Sequence, residues 1–289
     1  MFEQVEAFYR PASVREAVRL LQSCKGRARV VAGGTDVVVE AGHAVRFLID
    51  ITHTGLSYIR RKDGACVIGA TTTMAGLEES AVVRGLAGGL LARAAATCGS
   101  MQVRNLATLG GNMANGSPAA DLATVLLALD AEVVVAGAAG RKKLPVGEYL
   151  AQGAAGGMRK SLLVEAIIPR PAGGKRRGWS FQKLGRTALD ISLVNVAAGI
   201  QLDAAGRVKW VRIALGAVAP TAIRARAAEE KLTGRKLDGA LLAEACEAVM
   251  GAVDPISDQR ASAAYRRRMS GLLAGRAVEE CAAQAGCVL

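Results

Sequence analysis

Val30-Val31-Ala32-Gly33-Gly34-Thr35-Asp36 and, well downstream, Thr108-Leu109-Gly110-Gly111-Asn112 decide how this chain reads. Each segment follows or interrupts an apolar run and predicts a tight turn, poor in side chains, that ends in small polar residues. Glycine tolerates positive φ and lets a ligand approach the backbone. Successive peptide N–H groups in such turns make a concavity that holds phosphate oxygens without a lysine. Two such segments together predict a diphosphate gripped from both sides. The Thr35 hydroxyl can join the first group of donors, and the Asp36 carboxylate can accept from a ribose or orient the loop. Beyond the second segment come Ser117-Pro118 and Asp121. There a serine cap and a first-turn proline predict a helix start, with Asp121 favoured by the helix dipole. An ordinary strand-to-strand turn is the plainer alternative for the first segment.

The dinucleotide fingerprint of a doubly wound sheet is a different pattern, G-x-G-x-x-G opening into a helix with an acidic residue about twenty positions on. Gly33-Gly34 lacks that spacing and leads into Val37-Val38-Val39, a β-branched run that reads as strand. The pattern therefore predicts a nucleotide held by two separate loops, with no helix N-terminus under it.

Of the 289 residues, 51% are hydrophobic but only 3% aromatic, so the core is expected to be built from Ala, Val and Leu. The length suits two domains of about 100–200 residues each. Cys24, Cys66, Cys98, Cys246, Cys281 and Cys287 are scattered without a CxxC pair. They read as reduced thiols, with no spacing for an iron–sulfur cluster and no metal site. His43 and His53 stand alone in expected turns. No N-terminal leader and no run of about eighteen apolar residues is present, so the chain reads as soluble, unexported and cytoplasmic. The net charge of +12 is spread out apart from Lys175-Arg176-Arg177 and Arg266-Arg267-Arg268, without interleaved aromatics. That pattern argues against nucleic acid and for gathering anionic nucleotides or a partner protein.

Along the chain, Ser13 is expected to cap a helix over 14–22, followed by strands at 29–32, 47–51 and 66–70. Helices are expected from Thr73 toward Ser80, over 83–98 and over 119–129, then a strand at 132–136. Pro169 to Lys175 reads as a linker. Beyond it, strands at 179–184, 194–203 and 210–216 form an antiparallel meander, with 203–206 as a turn. Helices at 225–232, 239–249, 261–273 and 277–284 complete it. Strands followed by helices predict an antiparallel sheet covered on one side.

The two glycine segments resemble the FAD-binding subunits of the molybdenum hydroxylases, a family that includes xanthine, carbon monoxide and nicotinate dehydrogenases. The resemblance continues through Gln102-Val103-Arg104-Asn105, Lys183-Leu184-Gly185-Arg186, Asp190-Ile191, Gly216 to Thr221, Asp258-Gln259-Arg260 and Tyr265-Arg266, in family order. It implies an α+β fold. An N-terminal two-lobed FAD-binding domain of the PCMH, vanillyl-alcohol-oxidase-like type would cover 1–172. A C-terminal domain like that of the CO dehydrogenase flavoprotein would cover 173–289. It also implies non-covalent FAD contacted by Val31, Ala32, Gly33, Gly34, Thr35, Asp36, Val37, Thr108, Gly110, Gly111, Asn112, Asp121, Leu163 and Lys183.

Lys183 is expected at the flavin pyrimidine edge, where a cation would stabilise the anionic reduced flavin, with Gln182 competing for that place. A surface salt bridge is the plain reading of Lys183 and Arg186. Cys98 and Gly99 stand where mammalian xanthine-oxidising relatives carry an aromatic residue beside the ring. The ring would then be more open here, or covered by a partner subunit; a redox role for Cys98 has no second cysteine to support it. Arg260 and Arg266 read as structural. No residue is assigned as catalytic, because the flavin carries the chemistry. The resemblance implies electrons arriving from [2Fe–2S] clusters on a partner subunit and leaving to NAD⁺ or another acceptor. A separate molybdenum subunit would hydroxylate xanthine, another purine or another nitrogen heterocycle. A stand-alone oxidase of the vanillyl-alcohol-oxidase type is the alternative, with a scaffold that has lost its flavin as a third class.

Overall fold

The computed structural model describes residues 4–40, 45–158, 160–170 and 175–287. His43, most of the expected linker at 169–175 and the expected boundary at 172/173 lie outside the described residues.

The first lobe contains β1 (Ala7–Tyr9), α1 (Val14–Ser23), β2 (Ala28–Val31), α2 (Val37–Glu40) and β3 (Phe47–Asp50). Its three strands pair in parallel in the order β1-β3-β2. Ser13 caps α1 as expected, its hydroxyl accepting the Glu16 N–H at 3.2 Å, while the Glu16 carboxylate reaches back to the Ala12 N–H at 2.9 Å. The first bond satisfies a donor that a helix start leaves open, and the second ties down the residue before the cap. Ala17, Val18 and Leu21 turn inward from α1.

The second lobe runs through β4 (Ile59–Lys62), β5 (Ala65–Gly69), α3 (Met74–Glu79), α4 (Ala81–Arg84), a 3₁₀ turn at Ala87–Gly89, α5 (Leu90–Ala96), α6 (Met101–Leu106), α7 (Leu109–Ala114), α8 (Asp121–Ala128), β6 (Glu132–Gly137), β7 (Gly140–Pro145), α9 (Val146–Ala154) and β8 (Leu162–Ile168). Its sheet is wholly antiparallel, in the order β4-β5-β8-β6-β7. The helix expected over 83–98 is instead broken into α4, the 3₁₀ turn and α5. Ala87, Gly88 and Gly89 all take positive φ there, a conformation that ends a right-handed helix. The strands β7 and β8 and the helix α9 were not expected from the sequence pattern.

The C-terminal part contains β9 (Arg177–Leu184), β10 (Val194–Leu202), β11 (Val208–Gly216), β12 (Ile223–Arg224), α10 (Arg226–Leu232), α11 (Gly239–Ala252) and α12 (Ala263–Gln284). The expected meander is present, antiparallel in the order β12-β11-β10-β9. Two expectations fail here. The sheet is covered on both sides, since every residue of β10 is buried; α10 and α12 pack on its strands, with α11 against both helices, and α8 packs against β10 and β11. The last two helices are one, α12. Gly271 and Gly275 sit within it where a Cβ would come within 2.9 Å of Met250 Cγ and of Cys246 Sγ respectively. Close packing on α11 thus offsets the roughly 1 kcal/mol that glycine costs a helix interior.

Helix α8 is buried on nearly every side, as expected of a helix that is apolar all round. It stands between the second lobe and the C-terminal sheet, which places its first residue, Asp121, where the two meet.

Candidate functional site

The first glycine segment leaves β2 at Val31, whose carbonyl accepts the Ile51 N–H at 2.9 Å. The chain reverses at Gly34, φ +72°. The Val38 N–H then donates to the Gly34 carbonyl and the Val39 N–H to the Asp36 carbonyl, each at 3.0 Å. Val37-Val38-Val39 therefore begins the helical turn α2, correcting the expected strand. Among the described residues no strand pairs with this run, and Val39 is 80% exposed. β-branched residues favour strands only where a pleated surface is there to pack on. Among the described residues, the N–H groups of Ala32, Gly33, Gly34 and Thr35 donate to no backbone carbonyl, although all four residues are half-buried.

The second segment is helical, another correction. Thr108 caps α7, its Oγ1 accepting the Gly111 N–H at 3.0 Å. The Gly110 N–H donates to Ala70 O at 2.8 Å and the Leu109 N–H to Thr72 O at 2.9 Å. These peptide donors are spent within the protein. Gly110 is glycine for space, since a Cβ there would sit 2.7 Å from the Ala70 Cβ and carbonyl oxygen. Asn112 Oδ1 is buried without a partner among the described residues. The segments touch: a Cβ on Gly33 would lie 1.8 Å from Leu106 O, and Arg29 donates to Asn115 Oδ1 at 3.2 Å.

A third cluster gathers on Asp121, 5% exposed at the start of α8. Lys183 Nζ donates to its Oδ2 at 2.7 Å and to Thr97 O at 2.8 Å. Ser192 Oγ and Asn195 Nδ2 donate to Oδ1 at 2.6 and 2.7 Å. The expected helix start at Ser117-Pro118 comes later, with Ala120 at the cap position; the Ser117 hydroxyl instead accepts the Ala119 N–H. Strand alternation separates the two residues that competed in the sequence. Gln182 turns to the other face, donating to Ser180 Oγ and Glu280 Oε2 at 3.1 and 2.8 Å, and Lys183 faces Asp121.

Cys98 Sγ lies 3.7 Å from Asp121 Oδ2. Burial first, and then the adjacent carboxylate, push its thiol far above the ordinary range, so it is a proton donor and a poor nucleophile. Leu163 is buried in β8 opposite Val135. Arg186 pairs with Asp190 at 2.9 Å on the surface of the β9–β10 connection. Arg266, fully buried, donates to Leu193 O at 2.8 Å and Asp258 Oδ1 at 2.9 Å, tying α12 to the same connection. Met101 and Leu106 on α6, with Leu189 and Ile191 in that connection, leave large apolar side chains exposed.

Sequence reasoning missed Ser192, Asn195, Thr97 and Leu106. Asn195 alone carried a signal, a single amide inside the apolar run Leu193-Val194-Asn195-Val196-Ala197. Among the described residues, no group of three or more His, Cys, Asp or Glu is placed to hold a metal ion, and no helix is long and apolar enough to cross a membrane.

A family model described as the FAD binding domain in molybdopterin dehydrogenase matches residues 2–171, and one described as the CO dehydrogenase flavoprotein C-terminal domain matches residues 179–281. The xanthine dehydrogenase FAD-binding subunit of Escherichia coli O157:H7 is 31% identical, with 97% of each chain covered. The carbon monoxide dehydrogenase medium chain of Hydrogenophaga pseudoflava is 33% identical at the same coverage. A solved structure of carbon monoxide dehydrogenase from that organism superposes with a TM-score of 0.90 at 32% identity, covering 98% of this chain and 99% of its own. With the paired glycine segments, the two matched domains and relatives aligned end to end, the chain belongs to the FAD-binding medium subunits of the molybdenum hydroxylases, and so to the oxidoreductases.

Proposed function

We propose that FAD binds non-covalently between the two glycine segments, with its diphosphate on the Ala32–Thr35 peptides. The run of four N–H groups on half-buried residues, without backbone acceptors among the described residues, carries this reading, because buried donors are normally paired. In the second segment, Asn112 Oδ1, without a partner among the described residues, supplies one more polar atom for a ligand. Val31, Asp36, Val37, Thr108, Gly110, Gly111 and Leu163 complete the cradle, with Gly110 and Gly111 acting by their small size. Lys183 is the cation at the flavin ring, and Asp121, its oxygens engaged by the protein, acts by holding Lys183. The flavin supplies the electron transfer when bound; the chain supplies binding, orientation and electrostatics. The domains divide at 172/173.

The wider assembly is a cytoplasmic hetero-oligomer. Iron–sulfur clusters of the [2Fe–2S] type on one partner deliver electrons, NAD⁺ receives them, and a molybdenum subunit hydroxylates a purine such as xanthine or another nitrogen heterocycle. What supports this is the kinship with subunits named for xanthine and carbon monoxide dehydrogenases. The purified chain is expected to be yellow, with FAD near one per polypeptide, all of it released to the supernatant by acid precipitation. Flavin left on the pellet would refute non-covalent binding. Alone, the chain is expected to pass electrons from NADH to a dye but to hydroxylate nothing. Xanthine oxidation by the isolated chain would replace the subunit reading with a free-standing oxidase.

A further inference from the structure

Asp121 presents its two carboxylate oxygens to different company. Oδ2 takes the Lys183 ammonium with the weak Cys98 thiol beside it, and Oδ1 takes two strong neutral donors, Ser192 and Asn195. Both donors are almost wholly inaccessible to solvent. Asn195 is the second residue of a nine-residue strand buried throughout, where a leucine or valine would be the ordinary choice. Its amide NH₂ reaches Asp121, but its Oδ1 finds no partner among the described residues, and neither does Thr124 Oγ1 nearby. The neighbouring strand has Gly216 at this level, where any Cβ would fall 2.4 Å from both of those oxygens. A buried acceptor without a partner is costly. A fold that retains one, and keeps a glycine opposite to make room for it, is accepting a local cost where a function is served.

We propose that Ser192 and Asn195 are positioning residues that tune the bound flavin through Asp121 and Lys183, an inference that rests on the reading of Lys183 as the cation at the ring. Their two donors fix the plane of the carboxylate and draw on its charge from the side away from Lys183. The ammonium group then turns less of its field toward Asp121 and more toward the cofactor. Without them the carboxylate offsets Lys183 more fully, and the bound flavin accepts electrons less readily. Lys183 stands near the end of β9 and Ser192 near the end of the connection that follows, so one carboxylate in the N-terminal domain holds that connection at both ends. A tether alone would show itself in stability and not in redox behaviour.

The test uses the full chain loaded with FAD, comparing wild type with Ser192→Ala, Asn195→Ala and the hydroxyl-retaining Ser192→Thr by spectroelectrochemical titration of the flavin absorbance. Each alanine variant is expected to bind FAD near wild-type stoichiometry. In each, the ratio of affinities for reduced over oxidised flavin should fall about tenfold, a drop in midpoint of about 30 mV for a two-electron couple. Ser192→Thr should return the midpoint to the wild-type value. Flavin-loaded alanine variants with unmoved or raised midpoints overturn this proposal alone. Loss of folding or of flavin in both alanine variants also overturns it, since the residues would then be structural. A wild-type chain that binds no FAD overturns the cofactor reading itself, and this proposal with it.

Discussion

A Cβ on Gly33 would lie 1.8 Å from the carbonyl oxygen of Leu106, so the first glycine segment rests directly on the junction between α6 and α7. The glycine is there for close approach of two backbones, and no left-handed φ is involved; the positive φ belongs to its neighbour Gly34. The two segments therefore form one surface, and the spacing between them is set by the missing side chain.

Gly33→Ala is expected to force the segments apart, destabilising the chain by about 1–3 kcal/mol as overpacking does and abolishing FAD binding. Gly34→Ala meets only ordinary contacts, Val38 Cγ2 at 3.7 Å and Val31 Cγ1 at 3.9 Å, and should lose about 1 kcal/mol from its positive φ while keeping much of its flavin. Gly111→Ala, which meets only Thr108 Oγ1 at 3.0 Å, should fall between them. Ratios of absorbance at flavin and protein wavelengths, read beside thermal midpoints, separate the three. Full occupancy in Gly33→Ala would remove the diphosphate site from this loop.

Asp121→Asn should be the most damaging conservative change in the chain. It leaves the ammonium of Lys183, nine-tenths inaccessible, without its counter-charge. Breaking a buried pair by removing one partner costs about 3–5 kcal/mol. Urea unfolding followed by circular dichroism measures it; a midpoint within error of wild type would show that the pair is electrostatically idle.

Acid should weaken the tie between α12 and the β9–β10 connection. Asp258 accepts the Arg260 N–H at 2.9 Å, the Ala261 N–H at 3.1 Å and the Arg266 guanidinium at 2.9 Å. The Arg260 N–H foremost, then the Ala261 N–H and Arg266, hold its carboxyl well below the usual carboxylate range. A depressed folded value contributes stability that is present above the unfolded value, about pH 4, and is lost as pH falls toward the folded one. Asp258→Asn should thus be less stable than wild type at pH 7, with the gap closing progressively below about pH 4. Thermal melts across that range check it, and a gap independent of pH would contradict the assignment.

The thiol of Cys98 should resist alkylation in the folded chain at pH 8, because burial and the Asp121 carboxylate keep it protonated. Mass-spectrometric mapping after brief iodoacetamide treatment is expected to find it modified only on unfolding. Rapid labelling in the native state would reopen a redox role.

The sequence by itself determined the two glycine segments, the family they resemble, the capped α1, the C-terminal meander and the roster of polar residues available to a nucleotide. All of these rest on local chemistry: turn propensity, cap residues, alternation and motif spacing act within a few positions of one another. Only the tertiary structure decided that Val37-Val38-Val39 is a helical turn, since that depends on whether a neighbouring strand is there to pair with. It also decided that Lys183 and not Gln182 faces Asp121, because the pleat assigns alternate residues to opposite faces and their identity cannot say which face meets the N-terminal domain. The ring of Ser192, Asn195 and Lys183 around one carboxylate was out of reach for the same reason. Its members lie on α8, on two strands and on their connection, and only the packing of that sheet on a helix buried all round brings them within hydrogen-bond distance.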